Sequence, residues 1–298
     1  MLKFIYWPIS AVLWFWHKIF GYIFSPDSGA SWLLAIVFLT FTIRIFLVKP
    51  MVNQLRAGRK MQELQPQLRE IRAKYKNDQQ KMAMETQKVY KEAKMNPLAS
   101  CIVPLIQLPV FIGLFHVLRS FNRTGTGAGG LGMSIEQNRN TANYIFSPED
   151  VQSFLDARIF GIPLSSYMSM PEEQFAAFAP VDFTRTNIIM VALPLVLICV
   201  VMTHLNARLT MSRQRKRMAK KKAEDELRGK KPSQDGPLSP EMMETQMKTM
   251  NGMMLWFLPA TLLFTGFLWH IGLLTYMVSN NVWTLAQTKL VFDKMDKE

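Results

Sequence analysis

Apolar positions along this chain fall into long blocks separated by strongly charged segments. From residue 32 to 48 only Thr40, Thr42 and Arg44 interrupt an apolar run. At about 1.5 Å of rise per residue that run reaches roughly 25 Å, close to the hydrocarbon thickness of a bilayer. Comparable blocks cover 98–118, which carries Pro104, Pro109, Gly113 and one amide, Gln107, and 188–205, which carries Pro194. Residues 249–288 contain no Lys, Arg, Asp or Glu. One helix of that length would extend about 60 Å, twice the hydrocarbon thickness, so the pattern predicts two spans with the turn at Trp269, His270, Ile271 and Gly272.

The segments between the blocks have helical patterns of their own. Met61, Leu64, Leu68, Ile71 and Tyr75 step by three and four, and so do Met82, Thr86, Val89 and Ala93, with a break at Asn77 and Asp78. Two helices with narrow apolar seams predict an antiparallel hairpin, with Pro66 as the first residue of its first helix. At the N-terminus an aromatic-rich stretch gathers Ser10, His17, Lys18 and Gly21 on one stripe, the pattern of a helix lying in the membrane interface. A signal peptide is the alternative, although no small-x-small cleavage site precedes Ser25. Residues 119–187 read as an irregular loop with short helices near 148–157 and 171–178.

Charge sets the topology. The segment after the first block carries 12 basic residues and the one after the third block another 12, against 5 in 119–187. Basic loops stay on the cytoplasmic side, so the expected fold is an all-α integral membrane protein with five transmembrane helices, its N-terminus outside and its C-terminus cytoplasmic. The expected divisions are an interfacial helix and turn at 1–30, spans at 31–49, 97–118, 188–207, 251–269 and 272–290, a cytoplasmic helical hairpin at 50–96, an extracytoplasmic loop at 119–187, a basic cytoplasmic loop at 208–250 and a short tail at 291–298. The net charge of +13 is then a matter of topology, and no specific DNA binding is expected from it.

Arg44 is the one charge set well inside an apolar block. An arginine at the centre of a membrane helix costs about 2.5 to 3.5 kcal/mol on insertion scales. Two readings stand: it snorkels to the surface beside Lys49, or it faces a polar interior. None of the expected spans contains an Asp or Glu, so an inward Arg44 has only water and neutral dipoles to solvate it. Tyr276, Asn280, Trp283, Thr284 and Gln287 share one face of the last span, and Gln107 and Thr40 add further dipoles. Interhelical packing is the competing explanation for those residues.

Several function classes lack their chemistry here. The four His and two Cys show no metal-ligand spacing, no phosphate-binding glycine loop occurs, and neither an enzyme nor a cofactor is expected. Coupled transporters place acidic groups inside the membrane, and none is available. A structural assembly factor is left open. The basic run that includes Arg213, Arg215, Lys216 and Arg217 suits ribosomal RNA, anionic lipid or topology alone. Met242, Met243, Met247, Met250 and Met254 form a stripe that either greets apolar clients or enters the bilayer.

An ordered set of motifs resembles the YidC-type membrane protein insertase family in its compact form. The set comprises Thr42, Ile43 and Arg44 closing the first span; Gln65 and Pro66 in the hairpin; Asn96, Pro97, Leu98, Cys101 and Pro104 opening the second span; Gln107, Leu108 and Pro109 within it; Phe160, Gly161, Ile162, Pro163 and Leu164 in the outer loop; and Tyr276, Ser279, Asn280 and Gln287 in the last span. The departures are Ser100, where glycine is usual, and Thr275. The resemblance implies a plasma-membrane, multi-pass insertase and chaperone with a polar inner-leaflet groove centred on Arg44. That groove would be lined by Thr40, Gln107, Tyr276, Asn280, Trp283 and Gln287. Recruitment of substrates or partners falls to Leu68, Ile71, Tyr75 and the basic run. The partners implied are nascent membrane proteins, the lipid bilayer, the Sec translocon, the ribosome and signal recognition components, with no cofactor or metal.

Overall fold

The computed structural model describes residues 3–94, 102–125, 131–178, 180–227, 249 and 251–295. The motif residues Asn96, Pro97, Leu98 and Cys101, and Met242, Met243, Met247 and Met250, lie outside the described residues, as do the side chains of Pro104 and Arg217. The fold is almost wholly helical. Helices α1 (Lys3–Phe24), α2 (Gly29–Lys74), α3 (Gln79–Glu92), α4 (Ile102–Arg119), α5 (Ile135–Arg139) and α6 (Pro148–Asp156) are followed by the two-stranded hairpin β1 (Arg158–Ile159) and β2 (Ile162–Pro163). A 3-10 turn, Glu172–Phe178, leads to α7 (Arg185–Leu227). A π-helical turn, Met253–Phe257, precedes α8 (Leu258–Thr265), and a short 3-10 stretch, Gly266–Leu268, precedes α9 (Ile271–Met295). The uncharged stretch thus breaks at Trp269 and His270.

The chain divides into two compact units. The first takes Met1–Phe46, Gln107–Asn206 and Leu258–Glu298, and the second takes Leu47–Ile106 and Ala207–Phe257.

In the first unit the core forms where α1, the start of α2, α4 and the 119–187 segment meet. Trp32 is fully buried at its centre. Its ring stacks on His17 with 3.6 Å between centroids and meets Phe154 edge-on at 4.9 Å, while its Nε1 donates to Ser153 Oγ at 3.0 Å. The helix that brings Ser153 and Phe154 there starts from a reciprocal cap, Ser147 with Asp150, and has Pro148 in its first turn. Arg123, also buried, donates to Asn138 Oδ1 and to the carbonyls of Asn138, Thr141 and Ala142. It thereby satisfies loop carbonyls that have no ladder to join.

The N-terminal stripe turns out inverted. Ser10, His17 and Gly21 are buried against the protein, and Lys18 reaches the buried Asp150 at 2.7 Å. Phe4, Trp7, Phe15 and Tyr22 point outward instead. When the surrounding medium is lipid, the less apolar face of a helix turns toward the protein, and here Lys18 finds an ionic partner there.

Two expectations about helix boundaries also change. Pro66, expected to start a helix, lies inside α2, which continues unbroken from Gly29 to Lys74 with Pro50 also in its interior. Similarly, α7 passes from its apolar stretch to Leu227, so the basic segment begins as helix. Gly29, the first residue of α2, has no room for a side chain, because a Cβ there would stand 1.9 Å from the carbonyl oxygen of Arg158.

In the second unit, Asp78 accepts from Lys81 N at 3.0 Å to start α3 after a turn at Tyr75 to Asp78. Tyr90 Oη contacts Met61 Sδ at 3.8 Å, which places α3 alongside its predecessor.

Among the described residues, two helical stretches are long and apolar enough to cross a membrane, Gly29–Gly58 and Arg185–Arg213, with shorter apolar stretches at Leu105–Arg119 and Met253–Leu268. Bulky side chains on them are exposed, among them Leu105, Leu108, Met190, Leu197, Val201 and Phe264. Exposed apolar area on this scale is consistent with an all-α membrane protein. α9 is less apolar because it carries Ser279, Asn280, Asn281, Thr284 and Gln287.

Burial holds two imidazoles neutral. Desolvation lowers His17 to about 4, opposed by the charge of Asp150, and lowers His270 to about 4, assisted by the charge of Arg119. The unfolded chain takes up these protons near pH 6.5, before the fold does, so the stabilisation is complete above about pH 6.5 and drains away as pH falls toward 4. Each histidine should remove about 3 kcal/mol across that window. Denaturation in detergent at pH 7 and pH 4.5 is expected to show the loss, reduced in His17→Phe.

Candidate functional site: a polar cluster around Arg44

Arg44 lies on α2 one turn beyond Thr40, and the polar face of α9 supplies its partners within the first unit. Nε of Arg44 donates to Asn280 Oδ1 at 2.8 Å and Nη2 donates to the same oxygen at 2.5 Å. Nη2 also donates to Thr284 Oγ1 at 3.3 Å. Asn280 and Thr284 are one helical turn apart, which is why a single guanidinium spans both. Among the described residues no carboxylate lies within ion-pair distance of Arg44. Its charge is therefore solvated by neutral dipoles and not cancelled, the arrangement that keeps a positive potential in a low-dielectric place.

The neighbouring residues extend this polar lining. Gln107 on α4 donates from Nε2 to Tyr276 Oη at 2.9 Å, and Gln107 Oε1 is buried with no partner among the described residues. Tyr276 is itself buried. Trp283 donates from Nε1 to Gln287 Oε1 at 2.8 Å and lies 5.3 Å from the ring of Phe41. An unmet buried acceptor is hydrogen-bonding capacity that a polar guest or water can use.

The expected lining residues do not all do the same thing. Asn280 touches Arg44, and Gln107, Tyr276, Trp283 and Gln287 pair among themselves. Thr40 is buried, and its hydroxyl donates to the carbonyl of Ile36 at 2.8 Å, within its own helix. Thr284 is the second direct partner of the guanidinium, and its signal is its place one turn after Asn280.

A second polar seam occupies another face of α9. Thr203 Oγ1 donates to Asn281 Oδ1 at 3.2 Å, and Asn206 Nδ2 donates to the carbonyl of Asn281 at 3.2 Å. Adjacent asparagines thus tie α9 to α2 and to α7, and only the one-residue offset separates the two roles in the sequence.

The residues expected to recruit partners belong to the second unit. Leu68 is buried, Ile71 and Tyr75 are half-buried, and Lys74 lies over the Tyr75 ring at 5.4 Å. Arg213 is half-buried, whereas Arg215 and Lys216 are exposed. Among the described residues no cluster of His, Cys, Asp and Glu suits a metal ion.

The chain is similar to known proteins over its whole length. The profile of a family described as "60Kd inner membrane protein" matches residues 23–298. A membrane protein insertase YidC of Mycobacterium tuberculosis (strain CDC 1551 / Oshkosh) is 38% identical over 297 residues, covering 100% of this chain and 74% of the relative. One from Mycobacterium leprae is 38% identical over 298 residues, covering 100% and 71%. One from Streptomyces avermitilis is 30% identical over 291 residues, covering 98% and 58%.

Proposed function

The chain belongs to the 60Kd inner membrane protein family, that of the YidC-type membrane protein insertases, and we propose that it admits the polar tail of a nascent membrane protein to a groove centred on Arg44. Such an insertase is no enzyme, and its substrates are nascent membrane proteins handed to the lipid bilayer. The observation that carries the groove is the guanidinium held by Asn280 and Thr284, with no carboxylate among the described residues within ion-pair distance.

A polar or acidic tail crossing hydrocarbon unaided must lose its hydration, and that penalty is the barrier to insertion. In this account the groove replaces part of that hydration with a fixed positive charge and unmet hydrogen-bonding groups, Gln107 Oε1 among them. The apolar segment of the client then moves sideways into lipid, and its transfer from water into hydrocarbon drives the step. Differential solvation suffices, and no bond is made or broken.

The full reading takes five spans, with the N-terminus outside and the C-terminus in the cytoplasm of a plasma-membrane, multi-pass protein. The hairpin at 50–96 and the basic stretch from Arg213 to Arg217 lie on the cytoplasmic side, where they meet substrates, ribosome or anionic lipid. Work beside the Sec translocon and delivery by signal recognition components belong to the same reading.

The test is a series of single-span clients that differ only in the charge of the tail to be translocated, presented to vesicles containing the purified protein. Acidic and neutral tails are expected to cross faster than basic ones, with the difference shrinking at high salt. Equal rates for all tails would remove the electrostatic role of the groove.

A further inference from the structure

The β1–β2 hairpin has no part in the groove, yet its tip is built in an unusual way. Arg158 pairs with Pro163 and Ile159 with Ile162, so Phe160 and Gly161 form a two-residue turn. Both have positive φ, 49° and 81°. Turns of this kind favour Asn-Gly or Gly-Gly, because a bulky side chain is disfavoured there. An aromatic nevertheless takes the first position, with its side chain 87% exposed.

The base of the hairpin is fixed firmly. Arg158 donates to the carbonyls of Gly161, Phe178 and Pro180 and pairs with Asp182, and its guanidinium lies 5.7 Å from the centroid of the Phe183 ring. The carbonyl of Arg158 abuts Gly29, where α2 begins. Gly272, where α9 begins, donates its N–H to the carbonyl of Leu164 at 3.0 Å. Asp182 and Phe183 come just before α7, which starts at Arg185. The hairpin base therefore sits level with the starts of three helices. With about 3.3 Å of rise per strand residue, its tip is within about 7 Å of that level.

We propose that Phe160 is a bilayer anchor, seated at the headgroup–acyl boundary of the leaflet that α2, α7 and α9 enter at these starts; this rests on the reading of those helices as spans. Lipid is the occupant that the chemistry fits. Arg158 is matched by Asp182, so the tip presents no net charge to an acidic or basic partner. Its exposed neighbour Val181, next to Asp182, adds only apolar surface. An uncharged aromatic at the level of the helix ends is the usual occupant of a membrane interface.

The test places a nitroxide at Phe160→Cys in a Cys101→Ala, Cys199→Ala background that retains insertion activity, reconstituted in phosphatidylcholine–phosphatidylglycerol vesicles. Collisions with oxygen, which concentrates in lipid, are compared with collisions with a water-soluble nickel chelate. Oxygen is expected to dominate at 160, while nickel dominates at the exposed α5 position Glu136→Cys. A label at Leu197→Cys, on the outward apolar face of α7, tests the spans alone. Nickel dominance at 160 with oxygen dominance at 197 overturns the anchor and leaves the spans standing, whereas nickel dominance at both sites overturns the spans and the anchor with them. A label at 160 shielded from both reagents means a protein contact, and that also overturns the anchor.

Discussion

Trp32→Ala is expected to lower the unfolding free energy by about 3 to 5 kcal/mol, the usual range for removing a large aromatic from a packed core. The residue is fully buried, stacked on His17 and edge-on to Phe154, with Phe121 and Phe146 completing its surroundings. Four rings, those of His17, Phe121, Phe146 and Phe154, pack on it, so neighbouring atoms cannot collapse into the space without breaking other contacts. The change also takes away the Nε1 donor to Ser153. Trp32→Phe separates the two contributions: it keeps most of the packing and loses the hydrogen bond, worth about 1 kcal/mol. Thermal unfolding in detergent should show the alanine variant melting on the order of 10 °C lower and the phenylalanine variant much closer to wild type.

Arg44→Ala is expected to leave the fold intact and remove insertion. Deleting a desolvated cation that has no ionic partner among the described residues relieves a burial penalty, so stability should stay level or rise. Function should move the other way. A charged hydrogen-bond donor is worth about 1.5 to 3 kcal/mol to its partner, which amounts to roughly a ten- to hundredfold change in rate when that partner is a client tail at its least hydrated point. Arg44→Lys keeps the charge while losing the fork that holds Asn280 and Thr284 together, so it should retain most of the activity.

How far the sequence foretold all this depends on which medium each side chain meets. The apolar blocks, the break near Trp269 and the short helix at 148–156 follow from periodicity and caps, which act locally. The inverted face of α1 does not, because the same stripe of Ser10, His17 and Gly21 suits water or a protein interior equally well. Proline normally reads as a boundary, yet Pro50 and Pro66 are carried inside one helix, α2. Around Arg44, the polar stripe of Tyr276, Asn280, Trp283 and Gln287 is visible at helical spacing. What spacing cannot show is that Thr40 spends its hydroxyl on Ile36 within its own helix, as threonines in helices often do, or that Asn281 turns to Thr203 and Asn206 while Asn280 turns to Arg44. Those choices are made by the neighbouring helix.

The most direct test is insertion of a short single-span client into liposomes carrying wild type, Arg44→Ala or Arg44→Lys at matched folding and reconstitution. A positively charged groove predicts insertion by wild type and largely by the lysine variant, with loss in the alanine variant. Equal insertion by all three would mean that Arg44 only reaches for the membrane surface, and would contradict the groove.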